Sequence, residues 1–439
     1  MIKTLTSAFK NKDIRKKLLY TLMMLVVIRI GSLLPIPGVD TEYFSTLLSG
    51  FNSGDLSYLS AFTGGSFEKM SLFALSITPY ITSSIIMQLL TIAIPKLEEM
   101  QKEGEDGRKK IASITRYVTI GLSLIESIAM AVGFGRSGLI KDSAQLSTLH
   151  YVVCIIVVIA ALTAGSAVLM WLGERITEKG VGNGISIVLL INIISGMPSD
   201  FATLYSTFVA PKTPAKGVLA AVIILAILIV MVVLVCFLQD GERRIPVQYS
   251  QKVSGRRTVG GQSTNIPLKV NTAGVMPIIF ASSLMQFPVI IAQLFGKSYE
   301  WTRYLSSSYW CRVEAPKYSI GLLVYIVLLI IFAYFYTSIT FNPIEVADNL
   351  KKAGGVIPGI TPGKSTSEYL NKILNYIVFI GAVGLLIIAL IPIMCTGFFN
   401  ASVSFGGTSI IIIVGVVLET LKQIESQMLV RHYKGFISE

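Results

Sequence analysis

The chain has 439 residues, of which 53% are hydrophobic and 14% are charged, and its formal net charge is +12 at pH 7. Soluble domains contain roughly 45 to 50% apolar and about 25% charged residues. The composition therefore excludes an ordinary soluble protein and predicts a polytopic membrane protein. The four cysteines cannot form a secreted disulfide framework in a chain of this length.

Ten apolar runs are suited to cross a membrane as helices, for which about 20 residues are needed. A basic amphipathic segment, residues 1–17, precedes the first run, and no cleavage site of a signal peptide follows it. Because ten is even, both termini are expected on one side. The predicted spans lie near residues 18–34, 70–94, 112–134, 150–172, 184–205, 217–238, 271–294, 318–340, 373–394 and 405–424.

The distribution of positive charge predicts which side that is. Segments on the side of the N-terminus hold 27 of the 37 Lys and Arg residues, the opposite side holds 8, and two fall in or beside spans. Under the positive-inside rule, both termini are cytoplasmic.

The second predicted span is unusual for a membrane helix. Pro79 lacks an N–H group and is expected to weaken or kink it. Isoleucines recur every four residues beside a polar side, which indicates either an ordinary span that buries its hydroxyl groups or the wall of a cavity. Residues 55–67 before it are too short to span and are set off by glycines, so they are predicted to insert into a cavity. The residues concerned are Ile77, Ile81 and Ile85, the polar Ser76, Thr78, Thr82, Ser83, Ser84 and Gln88, and the glycines Gly64 and Gly65.

Two long loops on the predicted cytoplasmic side are expected to have a function beyond connecting the spans. Residues 239–269 contain two Arg pairs and a β-prone run at 245–249, and residues 340–364 allow a short helix around 345–352. Long loops in compact proteins are uncommon unless functional. They predict a docking platform for an acidic or RNA-bearing partner; the alternative is that they are solvated loops that only set the topology.

The residues give little sign of catalytic chemistry. His150 and His432 are the only two histidines, so a His-based metal site is excluded. Gly180, Gly182 and Gly184 are expected to form the tight turn into the next helix rather than a phosphate-binding loop. Glu126 lies deep in the third span and is expected to face a polar interior, because a charge in lipid is costly. We therefore expect no catalytic residue, no cofactor and no metal.

Seven segments in a fixed order resemble the SecY family of protein-export channels. They spread over nearly the whole chain. They are RIGSLLPIPGVD (29–40), TPYITSSIIMQLL (78–90), KEGEDGRKKIASITRY (102–117), MWLGERITEKGVGNGIS (170–186), QSTNIPLKVNTAGVMPIIFASS (262–283), FNPIEVADNLKKAGGVIPGITPG (341–363) and GGTSIII (406–412).

The resemblance implies an all-α membrane protein whose ten transmembrane helices form two pseudo-symmetric five-helix halves around a central pore. The halves are residues 18–205 and 206–424, with cytoplasmic loops 239–269 and 340–372, and residues 425–439 form a cytoplasmic tail. A half-helix at residues 56–67 corresponds to the family's plug. The implied plug residues are Leu56, Tyr58, Leu59, Phe62, Gly64, Gly65 and Phe67.

The resemblance also implies a ring of branched apolar residues that closes the pore and a lateral gate between the second and seventh spans. Ile187 is the alternative to Leu189 in the ring. The implied ring is Ile81, Ile85, Leu189, Ile279, Ile410 and Ile412, and the implied gate residues are Thr82, Ser83, Gln88, Glu126, Ser282, Ser283 and Gln286.

The family's docking site for the SecA motor ATPase and for ribosomes corresponds to the two basic loops. One residue departs from the family, because Thr361 stands where an Arg is usual. The implied partners also include the SecE and SecG subunits, signal peptides, nascent membrane helices and lipid, in a bacterial plasma membrane. The implied docking residues are Arg243, Arg244, Arg256, Arg257, Lys351, Lys352 and Lys364.

A passive protein-conducting channel is thus the predicted function, driven by a bound motor or a translating ribosome. Two alternatives are a secondary transporter with a broken-helix site and a membrane scaffold or insertase without a pore. Few acidic residues lie at mid-membrane, which disfavours the transporter.

Overall fold

The computed structural model describes residues 9–50, 63–135, 140, 147–210, 214–249, 252–254, 257–259, 263–294, 300–306, 309–311, 316–399 and 407–435. The first part of the chain is helical. Its helices are α1 (Lys12–Leu33), α2 (Thr41–Gly50), α3 (Thr78–Ala93), α4 (Pro95–Lys102), α5 (Glu105–Gly135), α6 (Thr148–Lys179) and α7 (Gly184–Leu204), followed by a π-helical turn (Tyr205–Val209).

The second part contains helices and five short strands. The helices are α8 (Pro214–Asp240), α9 (Met276–Leu294), α10 (Thr302–Leu305), α11 (Ile320–Thr340), α12 (Pro343–Lys352), α13 (Lys364–Phe399) and α14 (Gly407–Gly435), with a 3-10 turn at Pro316–Ser319 before α11. The strands are β1 (Glu242–Tyr249), β2 (Lys252–Ser254), β3 (Arg257–Val259), β4 (Ser263–Lys269) and β5 (Gly355–Val356).

Each of the ten predicted spans contains a helix. Within the described residues, α5, α6, α7, α8, α11 and α13 are long and apolar enough to cross a membrane. Helices α3 and α4 pass the same test only together and are bent by 101°. The other three spans correspond to α1, α9 and α14.

The second span differs from its prediction, because its helix begins only at Thr78. Residues 64–77 form turns joined by one bridge residue, and two non-glycine residues there adopt left-handed backbone conformations, Met70 with φ 40° and Ser76 with φ 53°. Pro79 lies in the first turn of α3, where its missing N–H group costs no helical hydrogen bond. The expected kink at Pro79 is therefore wrong, and the irregular stretch lies before it.

Residues 63–77, which we call the stalk, are fastened to their surroundings. The Ile36 N–H donates to the Met70 carbonyl at 3.1 Å, and the Leu72 N–H donates to the Leu34 carbonyl at 2.9 Å. On α6, a Cβ atom at Gly165 would collide with the carbonyl oxygen of Leu72. The stalk therefore packs closely on the first and fourth spans.

Aromatic rings hold the start of the stalk to α2 and α5. The Phe67 ring centroid lies 5.9 Å from that of Phe44 and 6.4 Å from that of Phe134, in edge-to-face arrangements. All three side chains are buried. Phe67, predicted as part of the plug, is therefore anchored in an apolar cluster.

The predicted turn before the fifth span is confirmed. Gly182 has φ 83°, a left-handed value that glycine adopts without strain, and α7 begins two residues later. The Asn183 side chain caps the helix by accepting a hydrogen bond from the Ile185 N–H at 3.1 Å.

The two long loops are joined by one antiparallel sheet in the order β4-β1-β5. Strand β1 pairs with β4 from Glu242–Lys269 to Gln248–Ser263, and Gln248 also pairs with Val356 of the second loop. The β-prone run at 245–249 and the short helix near 345–352 are both confirmed, as β1 and α12. We call β1, β4, β5 and α12 the platform.

Candidate functional site

Four of the predicted ring residues lie in one central hydrophobic core. Ile81 of α3, Leu189 of α7, Ile279 of α9 and Ile412 of α14 are all at least 92% buried and belong to the same cluster. Four helices that are distant in sequence thus contribute branched apolar side chains to this core. Branched apolar side chains can exclude water and ions without a polar gate.

The two remaining ring residues are placed differently. Ile85, one turn after Ile81, is half-buried and packs against this core. Ile410 is buried but does not belong to this cluster, whereas its neighbour Ile411 does. The alternative ring residue Ile187 lies in the same core as Leu189.

Three of the predicted gate hydroxyl groups, those of Thr82, Ser83 and Ser282, bond within their own half. Ser83 is fully buried, and its Oγ donates to the Thr115 carbonyl of α5 at 2.9 Å. Ser282 Oγ donates to carbonyls of its own helix, including that of Ile278 at 2.8 Å. Thr82 likewise bonds to Thr78 at 3.1 Å.

Between the described residues of α3 and α9, no hydrogen bond joins the gate residues. The hydrogen bond of Ser83 joins α3 to the third span, and its place in a lateral gate stays a prediction. Gln88 has a buried Oε1 atom without a hydrogen-bond partner among the described residues. The other predicted gate residues, Glu126, Ser283 and Gln286, are half-buried.

Contacts of α7 with the stalk were not predicted from the sequence. Asn192 is buried, and its Nδ2 donates to Ser76 Oγ at 3.0 Å. Ser195 Oγ donates to the Asn192 carbonyl of its own helix at 2.7 Å and lies 3.3 Å from the Gly64 carbonyl. The sequence feature that could have indicated these contacts is the single Asn in the apolar run IVLLINII.

An ion pair between α5 and α6 was also missed. Arg116 Nε donates to Glu174 Oε1 at 2.8 Å, and the Glu174 side chain is largely buried. Their separation of 58 residues gives no local pattern in the sequence.

A hydrophobic core of its own supports the platform. Val247 of β1, Leu350 of α12 and Leu370 of α13 are buried together. The core ties both long loops to the start of the ninth span. A surface built on it therefore has a defined shape.

Four of the predicted docking residues lie on the platform itself, Arg243 and Arg244 in β1 and Lys351 and Lys352 in α12. Arg243 is exposed, and Arg244 is exposed and pairs with Glu242, with 2.6 Å between Nη2 and Oε1. Arg257 lies in β3, and Arg256 lies outside the described residues. The carbonyl of Thr361 accepts a hydrogen bond from Thr366 Oγ1 at 2.9 Å. Lys351, Lys352 and Lys364 are also exposed.

Four of the predicted plug residues, Leu56, Tyr58, Leu59 and Phe62, lie outside the described residues. Gly64 and Gly65 are described, with φ values of 62° and 80°. Across the described ranges, no group of three His, Cys, Asp or Glu side chains is arranged to hold a metal ion.

Solved structures with this fold include protein-conducting channels. One described as "The structure of a protein conducting channel" has a TM-score of 0.61 and 18% identity, over 94% of this chain and 92% of the other. A ribosome–channel complex of the canine endoplasmic reticulum has a TM-score of 0.57 and 17% identity, with 94% and 92% coverage. At these identities the likeness shows the fold.

Sequence relatives are closer. The chain is 43% identical to the protein translocase subunit SecY of Streptomyces galbus and 40% identical to that of Bacillus subtilis, with 100% of each chain covered. A family model described as SecY matches residues 71–421. The ten helical spans, the shared channel fold and the full-length identity together establish that this chain belongs to the SecY family of multi-pass membrane proteins.

Proposed function

We propose that the chain is a protein-conducting channel for unfolded precursor proteins. The observation that carries this proposal is that one buried core contains Ile81, Leu189, Ile279 and Ile412, which come from four helices. Branched apolar side chains offer no hydrogen bonds to a passing polypeptide. They seal the resting pore by excluding water and give way around any residue that enters.

The two halves, residues 18–205 and 206–424, would part between α3 and α9 to release apolar segments into lipid. Because Ser83 and Ser282 bond to α5 and to their own helix, parting α3 from α9 breaks neither bond. A low electrostatic cost of opening suits a gate that must respond to a signal peptide.

The platform is the proposed docking surface for the SecA motor ATPase and for ribosomes. Its separate core and its exposed basic residues support this role, and one structural relative is a ribosome-bound channel. Acidic protein surfaces and RNA both attract such a basic surface.

We further propose that SecE and SecG assemble with the chain in a bacterial plasma membrane, with both termini cytoplasmic. The bias of Lys and Arg toward that side supports the orientation. The driving energy would come from the bound partner, with no cofactor and no catalytic residue in this chain.

Reconstitution tests the proposed function. Vesicles that contain the chain with SecE and SecG are given SecA, ATP and a precursor with a signal peptide, and the protease-protected precursor is measured. We expect protection that depends on ATP and on the signal peptide. Absence of protection, or accumulation of a small solute by vesicles bearing this chain alone, would overturn the channel in favour of a transporter.

Charge reversal tests the docking surface. In Arg256→Glu/Arg257→Glu we expect SecA binding to weaken at least about tenfold, because two attractive contacts become repulsive. The matched control is Arg303→Glu/Lys317→Glu, which reverses two charges on the predicted opposite side. Binding to vesicles at low and high salt is the measurement, and undiminished binding would remove the Arg256 pair from the interface.

A further inference from the structure

The loop between the seventh and eighth spans concentrates positive charge on a side of the protein that otherwise has little. Residues 295–317 contain four of the eight Lys and Arg residues on the predicted outer side, against two acidic residues. Six Trp and Tyr residues lie between positions 299 and 318. Trp and Tyr are enriched where a protein meets the interface between membrane and water. The composition of this loop therefore indicates contact with that interface.

The described aromatic residues of the loop form one packed cluster. The ring centroid of Tyr318 lies 5.0 Å from that of Tyr304 and 6.0 Å from that of Tyr309, in edge-to-face arrangements. Trp310 is buried, and its Nε1 donates to the Tyr304 carbonyl at 2.9 Å. A Cβ atom at Gly321 would collide with the same carbonyl oxygen. The cluster is thus a closely packed base joined to the start of α11.

Two cationic side chains lie on this base. Lys317 Nζ is 5.0 Å from the centroid of the Tyr318 ring, and Arg303 Cζ is 5.8 Å from the centroid of the Tyr309 ring. Both cations also interact with the Tyr318 hydroxyl group. Among the described residues, neither forms an ion pair with a carboxylate, and Glu300 acts on Arg303 without forming one. Because like charges repel, an anion bound by both would be favoured.

The start of α11 indicates which kind of anion fits. The 3-10 turn Pro316–Ser319 leads into α11 at Ile320, and residues three apart are aligned in such a turn. Lys317 therefore stands above the first residue of an exposed apolar stripe, whose spacing is that of one helix face. The stripe comprises Ile320, Leu323, Val324, Val327 and Ile331. Charge at the end of such a stripe matches a lipid, which has an anionic headgroup above apolar chains.

We propose that Arg303 and Lys317 bind the phosphate of an anionic lipid in the outer leaflet, with the acyl chains of the lipid lying along the exposed stripe of α11. Arginine pairs with phosphate oxygens through two N–H groups, and lysine acts as a point charge. Free phosphate offers the same oxygens but no chains to cover the stripe. The site lies on the predicted outer side, away from the platform, and thus goes beyond the proposed function.

Contact quenching of tryptophan fluorescence tests the site. The chain has three tryptophans, and Trp171→Phe leaves Trp301, which is exposed two residues from Arg303, and the buried Trp310. The complex with SecE and SecG is placed in phosphatidylcholine vesicles with a minor share of phosphatidylglycerol, and one of the two lipids carries brominated chains. We expect brominated phosphatidylglycerol to quench several-fold more per molecule than brominated phosphatidylcholine. Equal quenching per molecule would overturn the proposal.

Charge variants separate this site from the rest of the complex, whose other tryptophans contribute equally to every sample. Arg303→Gln/Lys317→Gln should abolish the excess quenching by phosphatidylglycerol, whereas Arg303→Lys/Lys317→Arg should keep it because both charges remain. The control Lys216→Gln removes an exposed cation of α8 on the same predicted side and should also keep the excess. An excess that persists in the double Gln variant would contradict the site. Should that variant fail to fold, Lys317→Gln alone, at an exposed position, should reduce the excess, and an unchanged excess would contradict the site equally.

Inorganic phosphate distinguishes a lipid from a free anion. It is added to the vesicles while chloride keeps the ionic strength constant, because salt alone screens the attraction. We expect the excess quenching to remain. Its loss would assign the two cations to a free anion and overturn the lipid. The measurement uses no SecA, ATP or precursor, so its outcome is independent of whether the chain transports proteins.

Discussion

Replacing Ile81 and Ile279 together with Asn should raise the resting ion conductance of the reconstituted channel at least about tenfold, which corresponds to a barrier lower by about 1.4 kcal/mol. These side chains come from opposite sides of the proposed gate and are buried in one core. An amide can hold water where a branched apolar group excludes it. Ion flux across vesicles that contain the channel complex is the measurement.

The matched control for the ring is Ile81→Leu/Ile279→Leu. It keeps the volume and the apolar character of both side chains, so the conductance should stay near that of the unaltered chain. If the Asn variant folds, transports precursor and conducts no more than this control, the constriction lies elsewhere in the channel.

Val247→Asp should disrupt the platform while leaving the membrane-embedded helices intact. Val247 is fully buried on β1 between α12 and α13, where an unpaired charge costs about 3 to 5 kcal/mol. That cost is large relative to the stability of a small core. We expect loss of SecA binding by at least about tenfold and faster proteolysis of the loops at residues 239–269 and 340–364.

Gln248→Asp is the control for this change. Gln248 follows Val247 on the same strand but is exposed, so its charge stays in water and the platform should keep its fold. Resting conductance should be unchanged in both variants, because the ring lies in a different core. Equal SecA binding by Val247→Asp and Gln248→Asp would show that the platform core does not shape the docking surface.

Local sequence patterns determined much of the fold. Long apolar runs placed the ten spans because a membrane-crossing helix must satisfy its backbone internally and cover itself with apolar side chains. The β-prone run at 245–249 predicted β1, and the positions of Pro and Gly in residues 340–364 predicted the short helix α12, since strand preference and helix limits depend on near neighbours. Motif order indicated the family.

Contacts between distant segments could not be predicted from local sequence patterns. The polar side of α3 marked an interface, yet only packing decided that Ser83 bonds to α5 rather than across the gate. Nothing local to either loop shows that Gln248 pairs with Val356, more than 100 residues away, because strand pairing depends on where the spans bring the loops.

The sequence by itself therefore determined the class of protein, the spans, their orientation as a prediction and the family, because these depend on composition, periodicity and motif order. The tertiary structure alone decided where α3 begins, which side chains share the central core, and that α7 contacts both ends of the stalk. The left-handed Ser76, for example, lies in a turn closed by its N–H to the Phe73 carbonyl, and its side chain also accepts a hydrogen bond from Asn192, far along the chain.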